Sequence, residues 1–385
     1  MNLFRDSAKN WIGDAFGAFA DSAILFPILS LLIFNQGYSS TPLFITAGLV
    51  YLISGWLFRI PMSVQPLKSI TITAAALHVS QMEIRLSAVL LAIVCLILAT
   101  TPVHRLLAKT PQFIVHGIQF SLGLLLIQKG MSLHWLIIAP ALVFFFISNR
   151  FGFPVLGLAA TLGFLWTLVH PGSTDFMLAS GQTSIRPEII LSLALPQIVL
   201  SLGNSVVGTV ATAQHYFGEQ AKKVTSRNLL LSIGIGNLAT SWLCGIPYCH
   251  GAGGLTAHVK GGAKTWHSNI IIGGFLISAG AIAALQDDHH LKIALPPLLM
   301  VVLLATIGFH HLELAKSTWQ KQFGKIQLGL MALPALVTGN LLWTLVMGIL
   351  IKSAIDIKHA PATTRSPRLR NIPSSKSEPG VSIHR

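Results

Sequence analysis

Few residues of this chain could do chemistry, and they gather where hydrophobic sequence is interrupted. The stretch 240–265, TSWLCGIPYCHGAGGLTAHVKGGAKT, stops being apolar at Pro247, passes through Cys249 and His250 to the run Gly251-Ala252-Gly253-Gly254, and then resumes. An earlier stretch beginning SVQPLKSITITAAALHV breaks in the same way at Gln65, Pro66, Lys68 and Ser69. Pro66 is tolerated at the start of a helix, so a helix is expected from near Leu67, with the N–H groups of Lys68, Ser69 and Ile70 freed toward the protein centre. A helix N-terminus carries about half a positive charge and is a ready anion site. Glycines at 251, 253 and 254 let backbone N–H groups converge on one cluster of oxygens. The two half-dipoles sum to about one unit, so a dianion needs a further cation, and Lys68 is placed to supply it. The chemistry these breaks suit is capture of a small tetrahedral oxyanion.

Two further positions belong with them. Asp21, in GAFADSAILFPILSLLIF, falls about a third of the way into a hydrophobic segment. A carboxylate at that depth costs roughly 2.5–3.5 kcal/mol on insertion scales and marks a functional site by default. The other role open to it is bonding to buried backbone. Asn204-Ser205, in LALPQIVLSLGNSVVG, is the counterpart of Asp21-Ser22 at an offset of 183 residues. Lys68 has several roles open: contact with the anion or a charge relay on one side, snorkelling or pairing with Asp21 on the other. Asp14, nearer the interface, reads as a helix-start residue, and His116 and Gln119, one turn apart in TPQFIVHGIQF, read as a pair bonding between helices.

Other chemistries fail on the residues they need. The run from His250 to Gly254 resembles an esterase oxyanion loop, but no G-x-S-x-G nucleophile occurs and no strand–helix alternation surrounds it. Cys95, Cys244 and Cys249 give neither a disulfide framework nor metal-ligand spacing. The chain is expected to be no enzyme and to use no cofactor or metal.

The elements that must position these residues are membrane spans. With 52% hydrophobic and 10% charged residues among 385, and a mean hydropathy of +0.68, the chain is too apolar for a soluble globule. Fourteen hydrophobic segments begin near residues 13, 41, 65, 85, 112, 131, 153, 188, 226, 250, 266, 292, 322 and 340. Residues 54–61 lie over 240–247 at an offset of 186, with Trp56 and Trp242, Leu57 and Leu243, Ile60 and Ile246, and Pro61 and Pro247 identical in register. Two copies of seven spans each must enter the membrane in opposite directions, so the expected fold class is an all-α polytopic membrane protein of about 14 spans. It is built as two inverted seven-span repeats with broken half-helices 3 and 10. The net charge of +14 is scattered through short loops and makes no basic groove, so nucleic acid is not an expected partner. With both termini cytoplasmic, 21 of 26 basic residues fall inside, which favours that topology over its inverse. The boundaries expected are a cytoplasmic N-terminus (1–12), a first repeat (13–170), an external linker (171–187), a second repeat (188–355) and a disordered basic cytoplasmic tail (356–385) held against lipid.

The stretches GAFADSAILFP, IPMSVQPLKSI, HGIQFSLGLLL, LPQIVLSLGNSV and IPYCHGAGGLTAHVKGGAKT resemble the paired signatures of the molybdate transporter family, a branch of the sulfate-permease superfamily. The resemblance extends to about residue 355 and implies a uracil-permease-like fold, with a transport core of spans 1–4 and 8–11 and a gate of spans 5–7 and 12–14. It places the anion between half-helices 3 and 10, and the positions that match are Asp21, Gln65, Lys68, Asn204 and His250 with Gly251 to Gly254; Ser69 and Ser205 adjoin them. His116 stands where the family usually has Arg, and Tyr248 where Met is common. The function implied is secondary active transport of a tetrahedral oxyanion, molybdate before sulfate or tungstate, by alternating access in a bacterial-type plasma membrane, with protons as the coupling ion and a homodimer as the expected assembly. Proton coupling follows from Asp21, which repels an anion when ionised and not when protonated. A sulfate carrier and a nucleobase permease of the same fold are the rivals, and a passive channel is a further class. The permease would be expected to offer carboxylates or amides from spans 8 and 10, where Asn204 and the glycine run stand with no carboxylate in either span.

Overall fold

The computed structural model describes residues 11–77, 79–101, 111–133, 135–152, 154–170, 185–285 and 294–359. Most of the expected N-terminal segment, most of the linker at 171–187 and the tail from 360 lie outside the described residues. Within them the chain forms α1 (Trp11–Gln36), α2 (Ser40–Phe58), β1 (Gln65–Pro66), α3 (Lys68–Leu77), α4 (Gln81–Thr100), α5 (Gln112–Leu133), α6 (Ile138–Phe151) and α7 (Pro154–Val169). The second half repeats the order as α8 (Pro187–Ala221), α9 (Ser226–Trp242), β2 (Tyr248–Cys249), α10 (Ala252–Lys260), α11 (His267–Leu285), α12 (Pro297–Leu314), α13 (Gly324–Thr338) and α14 (Leu342–His359). Seven of these helices are long and apolar enough to cross a membrane alone, and four more are apolar but shorter. The protein is an all-α polytopic membrane protein.

Local signals explain where the helices begin and end. Ser80 and Glu83 form a capping box at the start of α4, and Pro187 and Pro297 sit in the first turns of α8 and α12, where no N–H is needed. In each half the helix before the break ends on a left-handed residue, Arg59 after α2 and Cys244 after α9. Ile60-Pro61 follows Arg59 directly and Ile246-Pro247 follows Cys244 after Gly245, and neither proline can continue a helix.

The packing is reciprocal between the halves. Helix α2 lies along α11 and α9 along α4; α1 packs on α7 and α8 on α14; α5 packs on α13 and α12 on α6. Helices α5 and α12 cross each other, and their closest approach is at Gly123 and Gly308, where a Cβ on either would sit 2.7 Å from the other's carbonyl oxygen. Without a hydrophobic drive between spans, such close backbone approach is what holds them. Advancing each helix by seven turns each of these pairs into its mate, so the two halves pack alike.

At the centre the two breaks meet. Strands β1 and β2 pair antiparallel, with Gln65 opposite Cys249 and Pro66 opposite Tyr248. This ladder satisfies backbone that would otherwise lie bare inside the membrane. Because it is only two residues long, α3 and α10 leave it in opposite directions with both N-termini close to the centre. Helix α1, buried on nearly every side from Ser22 to Gln36, passes beside it.

Candidate functional site

The side chains around the ladder fix its shape. Tyr51 of α2 donates to Val64 O at 3.0 Å, and Asn237 of α9 donates to Tyr248 O at 2.6 Å while accepting from Tyr248 N at 2.9 Å. Asn269 of α11 donates to Met62 O at 2.7 Å. Ser63 bonds both the carbonyl (2.8 Å) and the N–H (3.2 Å) of Gly251, joining one break to the other. His250 is fully buried, with Nδ1 2.8 Å from Ser63 O and Nε2 2.9 Å from Ser232 Oγ. Both ring nitrogens are thus engaged by protein, and the imidazole ties the second break to the first and to α9.

The expected polar groups converge on this frame. Gln65 Nε2 donates to Asp21 Oδ1 at 2.7 Å, and both side chains are buried. Gly251 and Gly254 rest directly on them: a Cβ at 251 would meet Gln65 Oε1 at 2.3 Å, and one at 254 would meet Gln65 Nε2 at 2.5 Å and Asp21 Oδ2 at 2.6 Å. At Gly253, which is exposed, nothing lies within 4 Å. Lys68, 8% exposed, lies within electrostatic range of Asp21, Cys249 and His311, yet no ion pair joins it to Asp21 among the described residues. Ser205, buried on α8, lies near Cys249. Asn204 lies half-buried on α8, whose Gly208 packs against Ala252 at the start of α10. All eleven expected residues therefore share one neighbourhood.

Its acceptor-seeking groups are in excess. The first-turn N–H groups of Lys68 and Ile70 on α3, and of Ala252, Gly253 and Gly254 on α10, have no hydrogen-bond partner among the described residues. The buried hydroxyls Ser69 Oγ and Thr71 Oγ1 are likewise unpartnered among the described residues, as is the acceptor oxygen Asp21 Oδ2. Donors gathered at two facing helix N-termini make a place suited to an anion. Among the described residues no group of three or more His, Cys, Asp or Glu could hold a metal ion. An apolar cleft of about 490 Å³ between α2 and α9 is lined by Tyr248 but by none of the eleven residues.

Three features of the site were not read from sequence. Ser63 bridges the breaks, Gln197 of α8 accepts from Ser69 N at 2.9 Å, and α8 runs as a π-helix over Ser201–Gly208. A π segment re-aims the side chains of its turn, here Asn204 and Ser205, and such segments recur at functional sites. The buried amide of Gln197 was a signal in itself, since a polar side chain in a span needs a partner. Asp14, read as a helix-start residue, instead accepts from Lys264 N at 2.7 Å and Thr265 N at 2.9 Å and bonds the Thr265 hydroxyl, anchoring the turn after α10. His116 bonds between segments, with Nδ1 2.7 Å from Thr318 Oγ1.

The sequence matches the family described as "Molybdate transporter of MFS superfamily" over residues 14–126 and 189–310, which covers both breaks and their flanking helices. It is 30% identical over 188 residues to Molybdate transporter 1 of Chlamydomonas reinhardtii, an alignment spanning 46% of this chain and 35% of that protein. It is 25% identical over 322 residues to Molybdate transporter 2 of Arabidopsis thaliana, spanning 67% and 69%. The chain thus spans about a third of the length of the first relative and about two thirds of the second. In fold it is similar to the transmembrane domain of a cyanobacterium bicarbonate transporter, BicA, with a TM-score of 0.58 over 88% of this chain and 97% of that one, at 14% identity. At that identity the likeness concerns the fold alone. With the family match falling on the residues that build the paired helix N-termini, the chain belongs to the molybdate transporter family and is a multi-pass membrane protein.

Proposed function

We propose that the protein carries molybdate across the membrane by alternating access, binding it between the N-termini of α3 and α10. One observation carries this reading: five first-turn amides without a partner face the centre from two helices, beside a buried lysine that forms no ion pair among the described residues. Two helix ends contribute about one positive charge together, and Lys68 contributes a full one, which balances a dianion. Backbone amides read charge and tetrahedral shape better than element, so tungstate and sulfate are related ligands of the same site. The relatives named molybdate transporters direct the choice to molybdate.

In this reading α1–α4 and α8–α11 form a core that moves against a gate of α5–α7 and α12–α14. The reciprocal packing of the halves supports it, because a carrier of two like halves has two like states, open to opposite sides. Asp21 supplies the coupling. Its Oδ2 lies where a Cβ on Gly254 would touch it, at the first turn of α10, so an ionised Asp21 repels the anion and a protonated one does not. Proton and molybdate therefore enter together. In this reading both termini face the cytoplasm.

Isothermal titration of the purified protein tests the assignment. Molybdate and tungstate are expected to bind, with sulfate as a competitor, whereas binding of uracil and of no tetrahedral oxyanion would overturn it.

A further inference from the structure

Among the first-turn amides of α3, Ser69 N–H is the one with a side-chain partner. It donates to Gln197 Oε1 at 2.9 Å, and Gln197 Nε2 in turn donates to Ser201 Oγ at 2.9 Å, one turn along the same helix. A backbone N–H can only donate, so the atom facing it is the amide oxygen and the orientation of the side chain is fixed. Gln197 is 1% exposed, and its contact reaches from α8 to α3 at the place where an anion would sit. On the same turn of α3 two buried hydroxyls, Ser69 Oγ and Thr71 Oγ1, have no partner among the described residues. These hydroxyls are donors still seeking an acceptor that a neutral carbonyl at one amide does not supply.

We propose that Gln197 is a built-in stand-in for the oxyanion: its amide oxygen occupies the Ser69 N–H while the site is empty and must leave it when the anion binds. A helix N-terminus favours negative charge, so a full oxyanion outcompetes the partial charge of a carbonyl for that amide. The displaced amide keeps its bond to Ser201 and swings about it. The empty carrier then has its Ser69 amide satisfied without substrate, and the affinity for substrate is reduced by the strength of the contact it displaces. The π segment starting at Ser201 places the pivot hydroxyl one turn from Gln197.

This inference rests on the oxyanion lying between the N-termini of α3 and α10, and titration with sodium molybdate separates the two. Gln197→Ala is expected to bind molybdate about two- to tenfold more tightly than the unmodified protein, the factor that the net value of one hydrogen bond corresponds to. Gln197→Asn, one methylene shorter and unable to reach Ser69, is expected to shift the same way in a protein that keeps a buried amide. Gln197→Glu sets a permanent carboxylate on the amide and is expected to lose binding at neutral pH while melting cooperatively. Unchanged or weaker binding in both Gln197→Ala and Gln197→Asn, with binding intact in the unmodified protein, would overturn this inference alone, since the side chain would then be structural or a direct ligand. Absence of molybdate binding in the unmodified protein would overturn the transport reading and this inference with it.

Discussion

Adding one methyl group separates the glycines that pack from the glycine that opens the site. A Cβ at Gly254 would lie 2.5 Å from Gln65 Nε2, 2.6 Å from Asp21 Oδ2 and 2.7 Å from the Ser63 Cβ, and these groups are held by bonds to one another and to Gly251. Gly254→Ala is therefore expected to push the α10 N-terminus off its seat and weaken molybdate binding at least about tenfold, the effect of misplacing a set of charge-assisted bonds. Gly253→Ala, with nothing within 4 Å, is expected to melt like the unmodified protein, and a large fall in its melting temperature would show that the cleft closes there. At Asp21 the expectation concerns pH. If protonation of the carboxyl favours anion entry, uptake rises as the external pH falls, and Asp21→Asn, which still accepts from Gln65, flattens that rise while keeping oxyanion binding. Measuring uptake against pH in proteoliposomes decides it, since an unaltered slope in a folded variant would remove Asp21 from the coupling. At this scale the sequence revealed which residues gather but not what each one does. His250 reads as a ligand from its place before the glycines, yet Ser63 and Ser232, from a distant loop and another helix, take both its nitrogens. Gln197 and Asp14 owe their roles to partners more than a hundred residues away, which no spacing rule reaches.

At the scale of elements, the halves are pinned by a small number of bonds between helix ends. Arg186, preceding α8, grips the fully buried carboxylate of Glu83 on α4 through Nε at 2.8 Å and Nη2 at 3.1 Å. The same carboxylate accepts from Arg186 N and Ser80 N, so one side chain joins two helix starts. Removing a partner from a buried pair costs about 3–5 kcal/mol when the remaining charge is stranded, less where it reaches water. Arg186 is partly exposed, so Arg186→Ala, which strands buried Glu83, is expected to lower the melting temperature more than Glu83→Gln, and the reverse order would contradict this account. The breaks were legible because proline, glycine and polar residues inside hydrophobic sequence have few explanations, and because the second copy repeats the first in register. The π segment was not legible, since Ser201–Gly208 differs from ordinary helix only by how its turns are closed, and helix-breaking residues do not mark it. The starts of the helices were readable to within a few residues, with the larger slips at α6 and α12, where apolar sequence precedes the helix proper.

At the scale of the whole molecule, alternating access requires α1–α4 with α8–α11 to slide against the remaining helices. A contact across that boundary is the bond from Leu295 N, just before α12, to Ser30 Oγ of α1, at 2.8 Å. Cysteines placed at Ser30 and Leu295, in a protein with exposed Cys244 replaced, are expected on oxidation to abolish molybdate uptake while sparing binding, and reduction is expected to restore it. Uptake at full rate in the cross-linked protein would rule out motion across this boundary. The order of fourteen helices was within reach of sequence because hydrophobicity and the 186-residue echo are properties of the chain alone, whereas the crossing of α5 and α12 at Gly123 and Gly308 emerges only when the halves are placed together. The central claim is that one oxyanion lies between the N-termini of α3 and α10, and the substrate's own metal can report it. Crystals of the protein soaked with sodium molybdate, measured on both sides of the molybdenum absorption edge, are expected to show one strong anomalous peak, its oxygens within about 2.7–3.2 Å of the amides of Ser69 and Gly253. A peak elsewhere in the molecule, with none between those N-termini at saturating molybdate, would contradict the account.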